Sequence, residues 1–239
     1  MWFLAGIQVF VIVLFSILGW AIRYKKNYWL ISGFAGRPAA EQEELIQNKM
    51  PQKTGGLLLA TAIGMLILLP LAFTGFTYAM EVQFGFMLLF LLGGSIYLSK
   101  FEIPRKRKRM YWFTSILSFV VIGFIIGLTY LGYQKPDLSI TEETFEITGM
   151  YGDEWPLESI TKIELLEEMP EVTWKENGFG LSTLAKGRFT VEGYGSSLLF
   201  IHKEAPYIYI EMGKKHIFIN GDNEEQTLRW HEQLTNSVE

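Results

Sequence analysis

Of the three histidines, the type best suited to metal or acid–base chemistry because imidazole ligates zinc readily and titrates near neutrality, His202 and His216 are expected on one face of the C-terminal strands. They fall on strands separated by a third, Tyr207–Met212, so they are expected as surface or packed histidines and not as a metal pair. Gly178-Phe179-Gly180 begins like a dinucleotide fingerprint, but position 183 is Thr where the third glycine would be needed. No phosphate-cradling loop, nucleophile elbow or His-Glu-x-x-His pattern occurs. Cysteine is absent, which removes thiolate metal sites, thiol nucleophiles and disulfides. The expectation is a protein with no catalytic residue, no metal and no cofactor.

Recognition is the chemistry left. Between 198 and 220 three strands are expected to run as a meander, with two apolar faces. Leu199, Ile201, Ile208, Ile210, Met212, Ile217 and Ile219 share one parity; Phe200, His202, Tyr207, Tyr209, His216 and Phe218 share the other. A strand in a small barrel normally buries one face. The aliphatic set is expected as core, and the aromatic set needs cover from the terminal helix, from the domain's own loop or from a partner. The stretch Met169 to Lys186 shows no period and is long enough for a binding loop. The candidate partner-binding set is therefore Trp174, Phe179, Phe200, Tyr207, Tyr209 and Phe218.

Four long apolar stretches, about Trp2 to Ile22, Gly56 to Gly75, Val82 to Ser99 and Tyr111 to Tyr133, precede this region. Each approaches the ~20 residues that cross the hydrocarbon core, and none carries a charge inside. Arg23, Lys25, Lys26, Arg37, Lys49 and Lys53 lie between the first two, Lys100 and the run Arg105, Lys106, Arg107, Lys108, Arg109 between the last two, and no basic residue between the middle two. Basic residues flanking spans stay cytoplasmic. The run is thus a topology determinant and lipid contact, and both termini are expected outside, in a multi-pass protein of the cell membrane.

Charge divides the chain near residue 136, with 13 basic and 5 acidic residues before it and 8 and 20 after, or +8 and −12 of the net −4. The acidic C-terminal part is poorly suited to nucleic acid or anionic headgroups. Two domains are expected, a four-span region over 1–136 and an acidic domain over 137–239. Within the spans, Gly56, Ala60 and Gly64, and Gly123 and Gly127, are small residues four apart that let helices approach. Pro70 is expected to kink the second span. Ionisable residues are missing from the spans, which argues against a pump or transporter.

In the first basic loop, Tyr28-Trp29-Leu30-Ile31 forms an aromatic patch, Ser32-Gly33 and Gly36 a turn, and Pro38 opens a short polar helix through Lys49. A basic stretch, an aromatic-Leu-Ile-Ser-Gly turn, a Glu-rich helix and a Gly-opened second span resemble a family of small bacterial membrane proteins of uncharacterised activity, over about residues 1 to 75. The resemblance implies no reaction.

Beyond Leu138 the period becomes two, with candidate strands at Thr144 to Thr148, Ile160 to Leu165, Arg188 to Val191, Leu198 to His202, Tyr207 to Met212 and Lys215 to Asn220. A final helix is expected from Asp222, capped with Glu225, its stripe formed by Leu228, His231 and Leu234. Pro156-Leu157-Glu158-Ser159-Ile160, Asn177-Gly178-Phe179-Gly180 and Gly187-Arg188-Phe189 resemble the bacterial pleckstrin-homology-like domain over about 138 to 236. That resemblance implies an α+β barrel closed by a helix. Its phosphoinositide-binding members use basic residues in an early loop, but the corresponding Gly149 to Glu154 is acidic here, so lipid-headgroup recognition is not carried over. The expected function is non-enzymatic: a four-helix anchor presenting this domain at the membrane for a protein or peptide, with a homo-oligomer also compatible. The other class weighed is an accessory or gating subunit of a transport system.

Overall fold

The computed structural model describes residues 2–238, with side chains from Ala5 onward. The chain forms two compact units, 1–125 and 126–239, the division falling within the last long helix. The first unit holds α1 (Trp2–Arg23), α2 (Ala39–Gln47), α3 (Met50–Leu68), α4 (Ala79–Leu98) and most of α5 (Pro104–Tyr133). Four of these, α1, α3, α4 and α5, are long and apolar enough to cross a membrane.

Helix α1 packs closely on α3 because glycines meet there. A Cβ at Gly19 would lie 2.8 Å from the Gly55 carbonyl, and one at Gly55 would lie 2.8 Å from the Gly19 carbonyl. Ile12, Ala62 and Met65 form the small core of these two helices, with Phe86 of α4 against it. Gly64 makes room for that ring, since a Cβ there would come within 2.2 Å of Phe86 Cζ. Pro70 does not kink a continuous helix: α3 ends at Leu68 and tightens into a 3-10 turn over Leu69–Phe73. Gln83 of α4 donates to the Leu68 carbonyl there at 2.9 Å.

The loops on the basic side fold on one another. Phe34, Leu45 and Ile103 form an apolar nucleus. Beside it Arg37 grips Glu102 through two hydrogen bonds of 2.6 and 2.9 Å, and Lys106 meets both oxygens of Glu41 at 2.8 Å.

The second unit contains a three-stranded sheet, β1 (Leu138–Ile140), β2 (Thr144–Ile147) and β3 (Asp153–Pro156), in that order. A six-stranded sheet follows, from β4 (Lys162–Leu166), β5 (Val172–Gly180), β6 (Leu184–Val191), β7 (Gly195–His202), β8 (Tyr207–Met212) and β9 (Lys215–Ile219), ordered β4-β8-β9-β7-β6-β5. The chain ends in α6 (Glu224–Val238).

The expected meander is corrected by this order. β9 lies between β7 and β8, parallel to β7 and antiparallel to β8. Leu199 consequently stands beside Phe218, and Phe200 beside Ile219, which reverses the phase assumed for β7. Phe200 joins Ile208, Ile210, Ile217 and Ile219 in a core with Phe145, Trp155, Trp230 and Leu234. Leu199 and Ile201 join Tyr207, Tyr209, Phe218, Phe189 and Val191 in a second core on the opposite face.

Both faces are covered from within the unit. The small sheet and α6 contribute to the first core. For the second, a flat sheet would hold β4 and β5 about 24 Å apart, five spacings of ~4.8 Å. The six steps from Leu166 to Val172 reach only about 20–22 Å. The sheet must curl, and Met169 of that short link packs on the second core. The terminal helix is capped by Asn223, whose side chain accepts from the Gln226 backbone N–H at 2.8 Å while Gln226 Oε1 accepts from the Asp222 N–H. Its buried stripe is Thr227, Trp230 and Leu234, and Leu228 faces out.

Candidate functional site

Of the six candidate recognition residues, four are core. Phe200 and Tyr209 are each 2% exposed, Tyr207 6% and Phe218 0%. They form no partner surface, because the curled sheet and the facing small sheet already occupy both sides. Tyr209 donates or accepts at the His216 Nδ1 over 2.8 Å and lies 3.1 Å from Glu211 Oε2. Burial and that carboxylate push its phenol well above the ordinary value. Phe179 is half-buried against Tyr151, and a Cβ at Gly132 would lie 3.0 Å from its ring.

Trp174 is different. It is 67% exposed near the start of β5, an edge strand of the larger sheet. Val172 through Asn177 are all exposed. The expected irregular loop is therefore a hairpin, and two register shifts explain why its period was invisible. Val172 faces Val191 and Trp174 faces Thr190, while Lys175 faces Phe189 and Asn177 faces Arg188, so Thr173 and Glu176 are extra residues that each invert the alternation. Glu176 is fixed by accepting from Thr190 Oγ1 at 3.0 Å and from Ser196 Oγ at 2.9 Å. Further along, Gly178 and Gly187 face each other, and a Cβ on Gly187 would come within 2.7 Å of the Gly178 Cα, so only glycine fits that close approach.

An unpaired strand edge offers backbone N–H and C=O groups to an extended segment, and an exposed indole beside it offers an anchor. Its surroundings are net acidic, Glu167, Glu168, Glu171, Glu176 and Glu192 outnumbering Lys175 and Arg188 on or near the strand. Nothing in this arrangement activates a nucleophile.

The domain's other polar cluster is inward. Lys186 is 6% exposed and donates to the Gln134 carbonyl, just past the end of α5, where a cation suits the helix terminus. Burial lowers its ammonium pKa, opposed by Asp222. His202 is pushed down by burial and then by the Lys186 charge, its Nε2 lying 3.9 Å from Asp222. His202 and His216 are on adjacent strands after all, but at opposite ends of them. Among the described residues no three His, Asp or Glu side chains gather to hold a metal ion.

In the first unit the basic run opens α5 in helical form, with Pro104 as its first residue. Arg105 and Lys106 reach Glu41 at 3.4 and 2.8 Å, and Arg107 donates to the Glu102 carbonyl. Lys108 and Arg109 face out. The Lys106 ammonium holds the Glu41 carboxyl below the usual range. Part of the run thus joins the loops, a role the spacing alone did not reveal. Gly56 lies against the Arg23 guanidinium, Gly64 against Phe86, and Ala60 is exposed. Gly123 and Gly127 have open space within 4 Å, so no helix uses them among the described residues. The small-residue pair that does bring helices together, Gly19 and Gly55, has no sequence spacing to reveal it because its members lie on different helices.

Residues 9–102 match a family model described as a domain of unknown function, DUF3784. Residues 137–234 match the family model of the bacterial PH domain. Both matches agree with the two resemblances read from the sequence, and the C-terminal unit is a pleckstrin-homology-like domain. No curated protein and no solved structure matches the chain.

Proposed function

We propose that this chain is a non-catalytic recognition protein: its membrane spans hold the pleckstrin-homology-like domain at the outer face of the cell membrane, and β5 takes an extended, basic segment of a protein partner. The observation that supports this is the edge strand β5, exposed from Val172 through Asn177, with Trp174 standing out from it. Its acidic setting favours a basic segment, and the absence of basic residues between α3 and α4 favours the outward orientation.

The test places a photoreactive phenylalanine derivative at Lys175 in the full-length protein, with the same probe at Met150, which is also exposed, as the control. Illumination in cells is expected to give a protein adduct from 175 and not from 150. Adding Trp174→Ser should reduce that adduct strongly, since an aromatic anchor carries about 2 kcal/mol, or roughly 30-fold in affinity. Equal adducts from both positions, or an adduct indifferent to Trp174→Ser, would refute the assignment.

A further inference from the structure

A groove of about 480 Å³ runs between α3 and α4, floored by Gly56, Ala60, Gly93 and Gly94, with Arg23 and Lys53 at its mouth. Its size falls in the ~300–1,000 Å³ range of small-ligand sites. From Leu98 to Leu89 its wall follows nine residues of helix, about 13 Å at ~1.5 Å each, from the charged level into the apolar span.

The charges at the mouth are unmatched. Arg37, Arg105 and Lys106 all pair with Glu41 or Glu102. Among the described residues no carboxylate lies within 4 Å of Arg23 or Lys53. Arg23 instead lies over the Tyr24 ring at 5.7 Å and Lys53 over Phe101 at 5.5 Å. Two free cations at the headgroup level above an apolar trough match one kind of molecule, with a negative head and a hydrocarbon tail. A soluble anion would leave the trough unfilled, and a zwitterionic lipid would leave a net positive mouth.

We infer that this groove is a specific site for one anionic glycerophospholipid, its phosphate between Arg23 and Lys53 and one acyl chain along Gly93 and Ala60. The site is separate from β5 and does not depend on the recognition role proposed for that strand.

Full-length protein in mild detergent, exposed to dioleoyl-phosphatidylglycerol or dioleoyl-phosphatidylcholine, is examined by native mass spectrometry. One retained phosphatidylglycerol is expected, at least tenfold preferred over phosphatidylcholine. A Cβ at Gly93 meets no atom within 4 Å, so Gly93→Leu starts from open space at the trough, and should cut retention at least tenfold. Ala60→Leu, on the opposite wall, is the second blocking variant should the first fold poorly. Arg23→Gln with Lys53→Gln should bring the two lipids to near parity, whereas Lys214→Gln with Lys215→Gln, exposed on the C-terminal domain, should change nothing. Equal retention of both lipids by the unaltered protein, or full retention in well-folded blocked variants, would overturn the site.

Discussion

Arg37 and Glu102 show what a single pair decides in the loop region. The Glu102 side chain is 2% exposed, and both its oxygens accept from Arg37. A carboxylate taken that far from water is tolerable only with its partner, because desolvation costs several kcal/mol per ion. Arg37→Ala should therefore destabilise the full-length protein in detergent by about 3–5 kcal/mol. The double variant Arg37→Met, Glu102→Leu should recover most of that loss, since it leaves no charge behind. Thermal melts of the three proteins check this; a single variant that melts like the parent would show that the pair holds nothing together. The basic run gains meaning at the same scale. Cations in the first turn oppose the helix dipole, so Arg105 to Arg107 persist there through Glu41 and the Glu102 carbonyl.

At the scale of elements, the decisive feature is the parallel placement of β9 beside β7, which gives the larger sheet two buried faces. Tyr209→Ser or Phe218→Ser should accordingly lower stability by about 3–5 kcal/mol, the usual cost of emptying an aromatic core position. Trp174→Ser should leave the melting temperature within about a degree or two, as exposed substitutions do. Comparable losses at Trp174 and Phe218 would contradict the curled sheet. Tyr207–Met212 is legible from residues alone and its bounds match, while the other expected strands lie within one to four residues of those observed. Their spatial order is not legible, because period two fixes which residues share a face within a strand but says nothing of the phase between strands. β5 is hidden for another reason: two extra residues break its alternation and make the strand read as a loop, while residue type alone picks out Trp174, which the structure then shows exposed. Likewise the spacing that suggested Gly123 and Gly127 as packing sites could not tell a helix contact from a surface left for lipid.

The whole molecule joins spans that are long and apolar to an acidic domain of the pleckstrin-homology type. In the function proposed above, this domain stands outside the cell with β5 open. The sequence contains no cysteine, so a single introduced thiol reports its own surroundings without interference. Three full-length variants, Trp174→Cys, Lys108→Cys and Phe218→Cys, are treated with a membrane-impermeant maleimide on intact and on permeabilised cells. Trp174→Cys is expected to label on intact cells, Lys108→Cys only after permeabilisation, and Phe218→Cys in neither. Labelling of Lys108→Cys on intact cells, with Trp174→Cys silent until the membrane is opened, would contradict it.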